Sequence, residues 1–171
     1  MEATIISRDA ITRPTFAFML RDPAHVIALG AGAGLAPFAP GTAGTALAWL
    51  GYVWLAPARE TWIWLAVLGG LFVLGIWVCG RTGRALGVAD HGAMVWDEIV
   101  AFWVVLFFTP ATLAWQAFAF ALFRLFDILK PAPIRYFDRK LKGGFGVMFD
   151  DLVAAFYTLV VLAVTWRIFG G

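Results

Sequence analysis

The chain is 171 residues long, 62% hydrophobic and 14% charged, with nine Trp, 16 Phe and a mean hydropathy of +0.84, which excludes an ordinary soluble domain and indicates an integral membrane protein. Its 13 basic and 11 acidic residues nearly cancel, leaving +2 without a solvated basic run, so nucleic acid is excluded as a partner. The single cysteine, Cys79, permits no intramolecular disulfide and reads as a packing residue.

One domain is expected over 1–171. Residues 1–22 carry Glu2, Arg8, Asp9, Arg13, Arg21 and Asp22 and lack the apolar core of a secretory signal. They are expected to stay as a cytoplasmic or interfacial segment, with residues 14–20 either an amphipathic helix on the membrane or coil. Uncharged stretches follow at 26–58, 61–80, 99–123 and 152–166. A spanning helix needs about 20 apolar residues, a requirement that 61–80 meets directly. The stretch 26–58 is too long for one helix and holds Gly30, Gly32, Gly34, Pro37, Pro40, Gly41 and Gly44 in its first half, so it divides into a loop and a helix over 42–56. Within 99–123, Thr109 and Pro110 leave two readings, one long helix or a hairpin. The hairpin, 92–108 and 111–127, gives arms of about 25 Å at 1.5 Å per residue and is preferred. The expected fold is therefore an all-α polytopic membrane bundle of four to five transmembrane helices.

The hairpin also sorts the charges. Residues 1–22, 81–98 and 124–151 fall on one side, which holds every Lys and Arg except Arg59 and Arg167 and every acid except Glu60. By the positive-inside rule that side is the cytoplasm, giving five crossings and an external C-terminus.

Seven acids gather on this side: Asp90, Asp97, Glu98, Asp127, Asp138, Asp150 and Asp151. No His or Cys cluster accompanies them, so oxygen ligands alone are offered, suiting Mg²⁺, Mn²⁺ or Ca²⁺ rather than zinc. An isolated acid among bases reads as an interfacial salt bridge. The adjacent pairs Asp97-Glu98 and Asp150-Asp151 are harder to explain that way, because like charges repel unless a cation lies between them or they face apart. Arg124, Asp127 and Lys130 recur at i, i+3 and i+6 on one helical face before Pro131, as a phosphate-binding set or a salt-bridge ladder. A Gly/Pro turn runs from Pro37 into a helix with Gly41, Thr42 and Thr45 in its first turns. Its free amides and hydroxyls offer an anion site, although Thr42 is also an ordinary cap, and no Walker sequence is present. Gly143, Gly144 and Gly146 read as a turn before Asp150. His91 can carry a proton near neutral pH, but a lone loop histidine is more often structural. His25 is the weaker candidate of the two.

These residues resemble a known family. Pro37-x-x-Pro40-Gly41-Thr42-x-Gly44-Thr45, Asp90-His91-Gly92-x-x-Val95-Trp96-Asp97-Glu98, Phe123-Arg124-x-x-Asp127-x-x-Lys130-Pro131-x-Pro133-Ile134-Arg135-x-x-Asp138 and Gly143-Gly144-x-Gly146-x-Met148-x-Asp150-Asp151-x-x-Ala154 look like the signature blocks of the phosphatidylglycerophosphatase A family, in order from about residue 30 to 154. Ala101 stands where relatives often have Gly, a small-for-small change. The resemblance implies a Mg²⁺-dependent phosphatase of the bacterial inner membrane that removes the terminal phosphate of phosphatidylglycerol phosphate. With it, the expected roles are Asp97, Glu98, Asp127, Asp150 and Asp151 as metal ligands and catalytic carboxylates, Gly41, Thr42, Thr45, Arg124, Lys130 and Arg135 as the phosphate site, and His91 in proton transfer. Water is favoured over a phospho-aspartate, since no Asp-x-Asp-x-Thr motif marks a nucleophile. The expected partners are the phospholipid substrate and the membrane, and a homodimer is compatible with helices this short. Two other classes share part of the pattern: an ion-coupled transporter, whose acids would lie nearer the midplane, and a lipid-binding scaffold, which has little use for seven acids.

Overall fold

The computed structural model describes residues 13–55, 60–132 and 140–169. Those residues are helical, without a strand: α1 (Phe16–Met19), α2 (Pro23–Ala28), a 3-10 segment (Gly30–Leu35), α3 (Pro40–Leu55), α4 (Thr61–Leu86), α5 (Trp96–Phe108), α6 (Leu113–Leu129) and α7 (Gly143–Phe169). Helices α4 and α7 are long and apolar enough to cross a membrane by length and composition. That is fewer than the four to five spans expected, because α3, α5 and α6 have 16, 13 and 17 residues.

Helix α5 forms the core, burying Ile99, Val100, Ala101, Phe102, Val105 and Leu106. Phe102 meets Phe123 and Phe120 of α6 with ring centroids 5.5 and 5.7 Å apart. Trp103 Nε1 donates to Ala48 O of α3 at 2.7 Å, which satisfies an indole N–H away from water. The chain turns between α5 and α6 at Thr109 and Pro110. Thr109 Oγ1 donates back to Val105 O at 2.8 Å, and Thr112 caps α6 by accepting from Trp115 N. Proline has no amide hydrogen to continue α5, so the hairpin reading of this stretch agrees with the structure.

Two elements differ from expectation. The stretch before α3, read as loop, contains α2 and the 3-10 segment. Asp22 starts α2 by accepting from Ala24 N at 2.9 Å, with Pro23 in the first helical turn, a favoured pairing of cap and proline. Helix α7 begins at Gly143 rather than 152, so the glycines read as a turn lie in its first turns. Gly144 serves close packing against α4, where a Cβ would stand 1.8 Å from Ile76 O, while Gly146 lies against Leu141 and Gly143 takes left-handed backbone at φ 72°. The same antiparallel crossing seats Gly75 of α4 against Met148 and Trp96. From Gly75 to its end at Leu86, α4 runs on for about 16 Å, so α5 starts well below the end of α4.

Asp22 also pairs with Arg81 near the end of α4. The Ala24 amide and then the Arg81 guanidinium hold its carboxyl below the ordinary value of 3.8. A carboxyl more acidic in the folded state contributes stability that is complete above the unfolded value and is lost as the pH falls on through the lower folded one. Asp22→Asn is expected to lower the thermal midpoint of the detergent-solubilised protein at pH 7, and this difference from wild type is expected to close below about pH 4. A difference that stays constant down to acid pH would mean that the carboxylate charge is not what stabilises the fold.

Candidate active site

Three helix ends converge on one locus. Glu98 lies in the first turn of α5, Asp127 in the last turn of α6 and Asp151 in the third turn of α7. One carboxylate oxygen from each lies within 4.8 Å of the others. Arg124, one turn before Asp127, donates through Nη1 to Glu98 Oε1 at 2.9 Å and to Asp127 Oδ2 at 2.7 Å. Its side chain and those of Glu98 and Asp127 are 11 to 12% exposed, and Asp151 is 3% exposed.

The arrangement is incomplete in a specific way. Glu98 Oε2, Asp151 Oδ2 and Arg124 Nε are buried without a hydrogen-bond partner among the described residues. Carboxylate oxygens deprived of water and partners are costly to bury unless something positive fills the gap. Three acids and one guanidinium leave a net negative locus, and its donors are oxygen only. The residues therefore fit a hard divalent cation coordinated by Glu98, Asp127 and Asp151, with the Arg124 Nε–H left over as a donor.

The remaining expected residues lie around this centre. Asp97 is buried, and its Oδ1 accepts from Glu98 N at 3.0 Å, so it stands beside the triad and fixes the backbone that carries Glu98. Asp150, also buried, pairs with Lys130. Lys130 closes α6 with left-handed backbone at φ 41°, which turns its side chain back toward α7. Both adjacent acid pairs thus divide, one member to the triad and one to another partner. Arg135 and Asp138 lie outside the described residues.

The start of α3 packs against the triad. Gly41 is buried against Glu98 and Arg124: a Cβ there would stand 1.9 Å from Glu98 Oε1 and 2.8 Å from Arg124 Nη2. Thr45, fully buried, donates to Gly41 O at 2.9 Å and accepts from Arg124 Nη1 at 3.4 Å. These residues position the guanidinium and the α5 carboxylate. Thr42 is half-buried.

His91 lies in the loop before α5. Its Nδ1 accepts from Ala93 N at 3.1 Å, which leaves the neutral ring's proton on Nε2. Burial pulls its pKa below the ordinary value, with Asp90 opposing. It lines a cleft with Arg13, Pro37 and Pro40 that contains no triad residue. His25 is buried, stacked 4.2 Å from Phe18 and bonded to the Phe18 carbonyl, a structural role. Sequence reasoning did not single out Thr45's hold on Arg124 or the cleft at Arg13, both of which depend on contacts between distant segments.

Residues 26–166 match the family model described as phosphatidylglycerophosphatase A. Phosphatidylglycerophosphatase A of Haemophilus influenzae is 47% identical over 145 residues, covering 84% of this chain and 88% of that protein. Its namesake in Escherichia coli is 38% identical over 144 residues, covering 84% and 83%. A Bacteroides thetaiotaomicron protein provisionally named a phosphatidylinositol-3-phosphatase is 38% identical over 165 residues, covering 92% of this chain and 99% of its own. No solved structure gives a significant match.

Proposed function

The chain belongs to the phosphatidylglycerophosphatase A family, and from that membership and the buried triad we propose that it hydrolyses the terminal phosphate monoester of phosphatidylglycerol phosphate at Glu98, Asp127 and Asp151, with Mg²⁺ as cofactor. The observation that carries the site assignment is the pair of buried, partnerless oxygens, Glu98 Oε2 and Asp151 Oδ2, inside a carboxylate group within 4.8 Å. In this reading the membrane is the bacterial inner membrane, α3 to α7 all traverse it, and the triad faces the cytoplasm, as the distribution of basic residues favours.

Glu98, Asp127 and Asp151 hold the cation. When bound, Mg²⁺ offsets charge on the phosphoryl oxygens and lowers the pKa of a coordinated water toward a usable nucleophile. Arg124 has two donors committed to Glu98 and Asp127 and keeps its Nε–H for a phosphoryl oxygen, so the donor is already oriented before substrate arrives. Lys130 supplies positive charge beside Asp150 at the edge of the site, where charge grows on the departing alkoxide. Thr45 and Gly41 keep Arg124 and Glu98 in register, and Asp97 holds the Glu98 amide.

The test is phosphate release by the detergent-purified protein from phosphatidylglycerol phosphate and from phosphatidylinositol 3-phosphate, each with Mg²⁺ and with chelator. Metal-dependent release from the first substrate in clear excess over the second is expected. A preference for the inositide would overturn the substrate assignment, and release unaffected by chelator would overturn the metal site. Asp97→Asn keeps an acceptor oxygen for the Glu98 amide and is expected to lower turnover about 10-fold rather than abolish it, as for groups that support ligands without being ligands. Complete loss would place Asp97 among the ligands.

A further inference from the structure

The cleft at His91 has no part in the chemistry above, yet it opens beside it. It has a volume of about 230 Å³, and Arg13, Pro37, Pro40 and His91 are among its walls. Pro40 precedes Gly41, whose backbone lies against Glu98 and Arg124, so the cleft adjoins the triad across the first turn of α3.

Its polar character is one-sided. Arg13 commits one donor, Nη1, to Pro37 O at 3.0 Å; among the described residues its other four guanidinium N–H donors remain. His91 spends Nδ1 on the Ala93 amide, so in the neutral ring Nε2 carries a proton to donate. Among the described residues the lining contains no carboxylate, although Asp90 precedes His91 and its charge acts on the ring. A cleft with two donors, one of them permanently charged, is complementary to a singly charged phosphodiester. At about 30 Å³ per water-sized volume, it has room for a glycerol phosphate and none for acyl chains. Those have a place outside it: Phe38, Phe16 and Leu20 are 86%, 63% and 61% exposed, large apolar side chains of the kind that sits in a bilayer interface.

We propose that this cleft, through Arg13 and His91 Nε2, binds the internal phosphodiester of the lipid substrate while its terminal phosphate reaches the triad past Pro40 and Gly41. The assignment rests on the function proposed above. It makes Arg13, outside the family-matched stretch of 26–166, a specificity determinant of this chain, and it gives His91 a binding role in place of proton transfer.

Phosphatidylglycerol retains the phosphodiester and lacks the terminal phosphate, so it probes the cleft without turnover. Its binding to the detergent-purified full chain is measured beside that of diacylglycerol, which has no phosphodiester. Arg13→Gln is expected to raise the Kd for phosphatidylglycerol at least fivefold, Arg13→Lys to restore most of the affinity, and His91→Asn, which keeps an acceptor for the Ala93 amide but removes the Nε2 donor, to weaken binding as well. Diacylglycerol binding is expected to be unchanged. In kinetics, Arg13→Gln is expected to raise KM for phosphatidylglycerol phosphate with kcat within twofold, and to leave competition by inorganic phosphate unaltered. Unchanged phosphatidylglycerol affinity in Arg13→Gln and His91→Asn overturns the inference whatever the turnover. An equal loss of inorganic phosphate competition overturns it too, since the cleft would then serve the terminal phosphate. Absence of release by wild type that still binds phosphatidylglycerol through Arg13 would instead strike the proposed function.

Discussion

Asp151→Asn is expected to reduce phosphate release from phosphatidylglycerol phosphate by at least about a hundredfold, the scale of loss when one preorganised charge is removed from a water-excluded site. The exchange keeps the shape of the side chain and the helix around it, so far-UV circular dichroism and thermal midpoint should stay near wild type. The reason lies in the partnerless Oδ2 of Asp151. If that atom faced only protein, a neutral amide would relieve the cost of a buried charge and the enzyme would be more stable without loss of rate. If it faces a cation, neutralisation removes a ligand. Glu98→Gln should be equally damaging, and combining the two should add little, because groups that act as a unit are not additive. Activity of Asp151→Asn within tenfold of wild type, with its metal dependence intact, would remove the residue from the ligand set.

Gly41→Ala tests the same centre without replacing any charged group. The added methyl would have to occupy a point 1.9 Å from Glu98 Oε1 and 2.8 Å from Arg124 Nη2, so the carboxylate, the guanidinium or the whole first turn of α3 must move. A shift of about 1 Å in a catalytic group typically costs on the order of a hundredfold, and we expect a loss of between about ten- and a hundredfold in kcat, with phosphatidylglycerol binding altered less. Gly51→Ala on the same helix is the control. Its methyl would meet only Trp103 Cζ2, at 3.3 Å, and activity within twofold of wild type is expected. Similar losses in both variants would mean that any added methyl displaces α3 and would say nothing special of Gly41.

How far these features can be read from the residues differs by feature. The α5–α6 turn is legible because Pro110 cannot donate an amide and Thr109 precedes it, a purely local matter. The start of α7 is not, since Gly143, Gly144 and Gly146 have the same local signature as a turn; only the approach of the Ile76 carbonyl reveals that helix packing requires Gly144. Among the carboxylates, the residue types and their common side can be read, and so can one further fact. Neighbours on a helix point about 100° apart, so Asp97-Glu98 and Asp150-Asp151 can each send only one member to a shared point. Which member goes depends on how α5, α6 and α7 are rotated against one another, and that is settled by distant packing such as Phe102 on Phe123. The part of Thr45 is hidden for the same reason, because its partner Arg124 is 79 residues away.

The seating of Trp96 and Met148 against Gly75, with α4 continuing about 16 Å further, acts as a measure of depth. If the end of α4 lies near the lipid phosphates, the triad waits below them, at a level where a phosphate attached directly to diacylglycerol could arrive only by drawing its own acyl chains downward. A headgroup that carries a second phosphate on a flexible glycerol arm reaches further inward and needs to draw its chains down less far. Selection among anionic lipids would then be made by length of reach before any side chain inspects the headgroup, and shortening the arm should cost more than changing its hydroxyls.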